Sequence, residues 1–249
     1  MALSRIYHRP CMHHRWHILQ HRHIVALCHS DIPPPPHYTI LHHTTPYYTI
    51  LHHTTPYYTT LHHTTPHYTT LHHTTMQYLI FNHMDECSEQ EVARLLPLVS
   101  PQRREQALRY THTFGQYCCL KSYELLLELY NEWCGAEHDR LPEFLYNEHG
   151  APYWADGPYF SISHTKKAIA VAISDHPVGI DVEGMREATD GLISKAMNPE
   201  EVSIIQSSPS PQTEFIRLWT RKEAYVKMQG TGIISDMHEI LADTSMLDW

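Results

Sequence analysis

The spacing of apolar and polar positions divides the chain near residue 76. Upstream, residues 36–75 repeat one decad four times: PHYTILHHTT, PYYTILHHTT, PYYTTLHHTT and PHYTTLHHTT. A Pro every ten residues with so few aliphatics cannot build a continuous core. The period is also shorter than that of solenoid or propeller repeats. Residues 1–75 are therefore expected to be disordered, as a low-complexity segment or a spurious upstream extension. Downstream, the periods are those of folded elements. Gln77–His83 predicts a short strand. Ser88-Glu89-Gln90-Glu91 predicts a capping box opening a helix to Leu96. Ser100-Pro101 predicts a second helix start, running to His112. Phe114–Trp133 carries Leu120, Tyr123, Leu127 and Tyr130 at helical spacing, with Gly135 as terminator.

The period then shortens. Phe144–Tyr146 and Tyr159–Ile162 predict strands around the turn 148–152, and the unbroken apolar run Ala168–Ser174 predicts a buried strand. Val178–Glu183 follows after a three-residue turn, so an antiparallel hairpin is expected. Helices are predicted from Asn198 and over Thr213–Met228, ended by Gly230 and Gly232, with a strand beginning in Asp236–Leu241.

Composition sharpens the division. Of 24 His, 17 fall in residues 1–75, which hold four Arg and a single acid, Asp31. The whole chain has net charge −9, which argues against a broad nucleic-acid surface. No run approaches the roughly 18 apolar residues of a membrane span. Six Cys without a C-x-x-C pair suit a reducing cytosol and no disulfide scaffold. The paired imidazoles of the decads suggest metal capture, but neighbours on an extended chain point to opposite sides, a poor chelating geometry.

Three polar clusters carry candidate chemistry. Asp181 and Glu183 lie at i and i+2 on a strand, so their carboxylates share a face. That face is either solvated or neutralised by a cation such as Mg²⁺, which takes oxygen ligands. Ser161, Ser163, His164 and Thr165 end a strand in FSISHT, either as a hydrogen-bonded turn or as a phosphate contact. On the last predicted helix Trp219, Glu223 and Lys227 form one stripe, and Arg221 lies about 200° around from Glu223, facing away. Glu223 and Lys227 are either a surface ion pair or groups facing a cleft.

The ordered set F-S-I-S-H-T, G-I-D-V-E and W-T-R-K-E-A-Y-V-K, followed by a G-T-G-I turn, resembles the 4′-phosphopantetheinyl transferases of the larger, pseudo-dimeric type. The resemblance covers residues 76–249. It implies an α+β chain of two similar α/β lobes, 76–172 and 173–249, with the site at their junction. It further implies transfer of the 4′-phosphopantetheine group from coenzyme A to a serine of an acyl or peptidyl carrier protein. The reaction would depend on Mg²⁺ and release 3′,5′-adenosine diphosphate. Asp181, Glu183 and Glu223 would hold the metal; His164, Ser163, Lys222 and Lys227 would contact the coenzyme A phosphates; and Glu223, Lys227 and His164 would serve catalysis. Arg103, Arg104, Arg109 and Lys121 are the basic residues where the family often holds the nucleotide phosphate. A cytoplasmic monomer without nucleic-acid or membrane partners is expected. The family usually continues beyond the point where this chain stops, at Trp249, so the second lobe is expected to be incomplete. Two rival readings stay open: a catalytically impaired fragment that binds coenzyme A or carrier protein, and a His-repeat metal-binding protein.

Overall fold

The computed structural model describes residues 15–21, 24–30, 43–45, 48–52, 76–232 and 237–241. Four strands lie in the N-terminal third: β1 (Arg15–His21), β2 (Ile24–Ser30), β3 (His43–Thr45) and β4 (Tyr48–His52). Then come β5 (Gln77–Phe81), α1 (Glu89–Leu95), α2 (Pro101–Leu108), α3 (Thr113–Cys134) and the two-residue strands β6 (Leu145–Tyr146) and β7 (Pro152–Tyr153). The rest is β8 (Tyr159–His164), β9 (Ile169–Ser174), β10 (Val178–Val182), α4 (Asp190–Ala196), α5 (Pro199–Ser207) and α6 (Pro211–Gln229). The chain is α+β.

Local chemistry explains most boundaries. Ser88 Oγ caps α1 by accepting from Glu91 N, but the Glu91 carboxylate turns to Arg94, so the expected capping box is only half made. The reciprocal box is complete at Asn198 and Glu201, at the start of α5. The α2 helix stops at Leu108 rather than His112, because His112 Nδ1 accepts from Gly115 N and caps α3. Gly135 and Gly230 end α3 and α6 with φ of 61° and 66°, the left-handed conformation that glycine tolerates. Where a strand was expected from Asp236, Met237–Glu239 form a short 3-10 turn, and Asp236 lies outside the described residues.

Two sheets meet near the middle of the chain. One has the order β3-β4-β5-β9-β8 and the other β1-β2-β10, with every adjacent pair antiparallel. Along β9, Ile169, Val171 and Ile173 face a core built with α1, α2 and α3. Ala170 and Ala172, with Tyr78 from β5, face Val178, Ile180 and Val182 of β10. Both faces are covered, which is why the strand reads as continuously apolar. A third core joins Phe215, Ile216, Leu218 and Val226 of α6 to Ala196 and Ile205.

The expected hairpin of β9 and β10 does not form: β10 lies in the other sheet and runs beside β8. Residues 161 and 163 of β8 face the same way as their small partners Ala172 and Ala170, toward β10. Ser161 Oγ accepts from Ile180 N (3.0 Å) and Ser163 Oγ from Val182 N (3.3 Å). Side-chain hydroxyls thus stand where ladder carbonyls would, and join the two sheets.

The expectation of no fold in residues 1–75 meets four strand segments. An open sheet edge offers unpaired N–H and C=O groups that an extended segment can take. Here β2 pairs with β10, setting Val25 opposite Asp181, and β4 pairs with β5. The rest of that stretch, including His62–His63 and His72–His73, lies outside the described residues.

Candidate active site

Gly179 sets the geometry of the site. A Cβ built there would stand 1.9 Å from the Ala224 carbonyl oxygen and 2.7 Å from Met228 N. Only glycine lets β10 approach the α6 backbone this closely. The approach sets Asp181, two residues further along β10, against the Lys227 side of α6.

Ser163 is the hub of the contact. Its hydroxyl accepts from Val182 N and from Lys227 Nζ (2.8 Å), and donates to Asp181 Oδ1 (2.8 Å). One donor and two acceptor positions are all that a hydroxyl has. Ser163 therefore positions Asp181 and Lys227 and has nothing left for a phosphate. Lys227 Nζ also donates to Asp181 Oδ1 at 2.6 Å.

Three carboxylates gather around this hub. Asp181 and Glu223 are buried, and their Oδ2 and Oε1 atoms, respectively, have no hydrogen-bond partner. Glu183 Oε1 accepts from Trp219 Nε1 (2.8 Å), with an Arg186 guanidinium nitrogen 3.8 Å away. Burial, then Asp181, push the Glu183 and Glu223 carboxyls above their ordinary value; Arg186, Lys227 and, for Glu183, the Trp219 N–H act against this, while Glu183 itself adds to the upward push on Glu223. Trp219, Glu223 and Lys227 do share one helical stripe on the side of Asp181 and Glu183, but Lys227 turns to Asp181 and Ser163 rather than to Glu223.

His164 stands exposed at the end of β8, its ring edge-on to Phe114. Protein packed around it, then Lys227 and Arg103, hold its imidazole below the ordinary value. With the ring reaching water, the two cations are the firmer cause. Arg103 is committed locally: it donates to Cys119 O and Gln106 Oε1, and its guanidinium lies 5.3 Å over the Phe144 ring. Its charge still reaches His164.

The other predicted basic residues are not brought here. Lys222 is buried and donates to Glu201 Oε2 (2.7 Å), Ala196 O (3.2 Å) and Met237 O (2.8 Å), which uses all three ammonium donors. Arg104 donates to the carbonyls of Leu96 and Pro97, and Arg109 pairs with Glu105 in solvent. Lys121 pairs with Glu124 and sits 4.5 Å over the Phe81 ring, in the lining of an acidic cavity that includes no residue of the carboxylate cluster. Arg221 does turn away from the cluster, yet into buried surroundings rather than solvent. Sequence reasoning missed Arg186, whose only signal was its place three residues after Glu183.

Residues 177–245 match the family model described as the 4′-phosphopantetheinyl transferase superfamily. A 4′-phosphopantetheinyl transferase of Bacillus subtilis is 31% identical over 150 residues, covering 59% of this chain and 66% of the relative. The transferase HetI of Nostoc is 30% identical, covering 59% and 60%, and Sfp of Bacillus subtilis is 26% identical, covering 59% and 66%.

The chain belongs to the 4′-phosphopantetheinyl transferase superfamily.

It spans 60–66% of the length of these relatives. The superfamily match includes β10, Glu183 just beyond it, and α6, which together carry the three carboxylates and Lys227. The donor set of this transferase-family site suits a hard divalent cation, because every free ligand is a carboxylate oxygen. Two of those oxygens are buried and open, and burial, then the neighbouring carboxylates, raise two of the three carboxyls. As placed, no three His, Cys, Asp or Glu side chains among the described residues form a ready cage for an ion. Lys227 and Arg186 supply the positive charge instead. No helix among the described residues is long and apolar enough to cross a membrane.

Proposed function

We propose that this chain transfers the 4′-phosphopantetheine group of coenzyme A to a serine of an acyl or peptidyl carrier protein and releases 3′,5′-adenosine diphosphate. The observation that carries the reading is the Asp181 carboxylate, held through Oδ1 by Ser163 and Lys227, whose Oδ2, like Glu223 Oε1, is buried with no partner. Asp181, Glu183 and Glu223 would hold Mg²⁺, which when bound neutralises charge on a diphosphate. Cleaving a diphosphate linkage asks the protein mainly for positioning and positive charge. Lys227, with its side chain 29% exposed, serves as the cation for the diphosphate. His164, set between Lys227 and Arg103 in charge, serves the nucleotide phosphate. Glu223 takes the serine proton, a task that suits a carboxylate held above its ordinary value by burial and by Asp181.

Lys222, Lys121, Arg104 and Arg109 are left out of the site because each is bonded elsewhere. The proposal keeps residues 76–172 and 173–249 as two similar lobes; residues 1–75 lend strands to their sheet edges and supply none of the proposed site residues. It sets the enzyme in the cytoplasm as a monomer. The test is the mass of an apo-carrier protein incubated with coenzyme A, Mg²⁺ and the full chain. Addition of the phosphopantetheine mass is expected, and Asp181→Ala should abolish it while circular dichroism stays unchanged. Undiminished transfer by Asp181→Ala would sink the assignment. Coenzyme A binding without transfer by the parent chain would mark it as a binding fragment instead.

A further inference from the structure

Glu183 Oε1 is approached by two groups of opposite kind. Trp219 Nε1 gives a neutral hydrogen bond at 2.8 Å, and an Arg186 guanidinium nitrogen brings full charge at 3.8 Å, too far for a hydrogen bond. Their settings differ as much. Trp219 stands on α6 one turn before Glu223, stacks on Phe215 with centroids 6.2 Å apart, and packs against the third core. It cannot leave without repacking that core. Arg186 belongs to the irregular segment between β10 and α4 and is half exposed. Its carbonyl is tied by Gln212 Nε2, but its guanidinium only rests 5.0 Å over the Trp219 ring.

We propose that Trp219 is a positioning residue that fixes Glu183 for divalent-cation binding, and that Arg186 is the counter-ion which the cation displaces. This rests on the carboxylate cation site of the proposed function. The cluster is not a ready cage as it stands, because its negative charge is partly met by the protein's own cations. Of these, Lys227 is held by two hydrogen bonds and Arg186 by none to the cluster. A cation entering beside Glu183 therefore meets the weaker competitor at Arg186. The two residues touch the same oxygen, yet their removal should act with opposite sign. Losing an outer hydrogen bond to a ligating group weakens cation binding by about 10–100-fold. Losing a half-exposed competing charge strengthens it severalfold at most.

The test is calorimetric titration of the full chain with Mn²⁺ alone, beside its thermal unfolding. Trp219→Phe keeps the ring and removes the donor; it should bind Mn²⁺ about tenfold more weakly. Arg186→Gln should bind about two- to fivefold more tightly, with little change in the unfolding midpoint. In a Glu183→Gln background, Trp219→Phe should have no further effect on Mn²⁺ affinity. Weaker binding in Arg186→Gln overturns the counter-ion role even if Trp219→Phe fails to fold. Unchanged affinity in Trp219→Phe, or additive loss with Glu183→Gln, overturns the positioning role. A parent chain that binds no Mn²⁺ overturns the cation site of the proposed function and this inference with it; the other failures leave that site standing.

Discussion

Lys222 and Lys227 stand five residues apart on α6 and meet opposite fates. Lys222 is buried with Glu201, and its other two donors reach the carbonyls of Ala196 and Met237. It thereby ties together the end of α4, the start of α5 and the 237–239 turn. Lys227 reaches out of α6 to Asp181 and Ser163, beside Glu183 and Glu223. An open oxygen does not by itself separate the two places, since Glu201 Oε1 also lacks a partner. The balance of charge does. One carboxylate faces one cation at Lys222, whereas three carboxylates share Lys227 and a loosely placed Arg186. A balanced buried pair is a structural tie; an unbalanced cluster is a site waiting for positive charge.

The largest expected effect breaks the balanced pair. Lys222→Met leaves a buried carboxylate without its cation and should cost about 3–5 kcal/mol in urea unfolding. Adding Glu201→Met should recover much of that loss. A single-variant cost near zero would mean that the pair is no tie at all. At the other cluster the sign should reverse. Glu223→Gln removes one of three mutually repelling groups, so without divalent cations it should raise the unfolding midpoint while abolishing transfer. A carboxyl raised on folding binds its proton more tightly in the native state. Its ionisation therefore costs stability fully above the folded pKa, and the cost fades as pH falls toward the ordinary 4.5. The gain should be present at pH 8 and shrink toward pH 4. A destabilised Glu223→Gln at pH 8 would make the two clusters alike.

The smallest effect concerns His164. Its imidazole is held below the ordinary 6.5, so it is neutral at pH 7, and a bound phosphate would favour the charged form. Binding of 3′,5′-adenosine diphosphate should tighten severalfold as pH falls below 6.5, and His164→Gln should flatten the profile. An identical profile in that variant would remove His164 from the phosphate site.

Sequence spacing carried the parts of this site that depend on one element. The i, i+2 carboxylates of β10 and its flank, the stripe of Trp219, Glu223 and Lys227, and the Ser and Gly signals at helix ends all follow from local period. What it missed depends on partners distant in the chain. Lys222 sits beside Glu223 in sequence, and nothing local says that Glu201 waits on its side of the helix. Arg104 and Lys121 read as free cations, but one caps carbonyls after α1 and the other lies on Phe81. The three-residue turn after β9 suggested a hairpin, and small Ala170 and Ala172 with Ser161 and Ser163 instead drew β10 across to β8. The α4 helix was missed because Asp190–Ala196 is a seven-residue element with only Ala196 buried.

Gly179 has a consequence for how this molecule can change. Where strand and helix meet through side chains, their separation shifts whenever a side chain is exchanged. Here it is set by main chain against main chain, with a hydrogen in place of a carbon. The reach from Asp181 to Lys227 is therefore insulated from the volumes of the three cores around it. Residues in those cores can be traded for others of similar bulk without recalibrating the site, while a position whose methyl group would strike backbone lies two residues from the carboxylate at its centre.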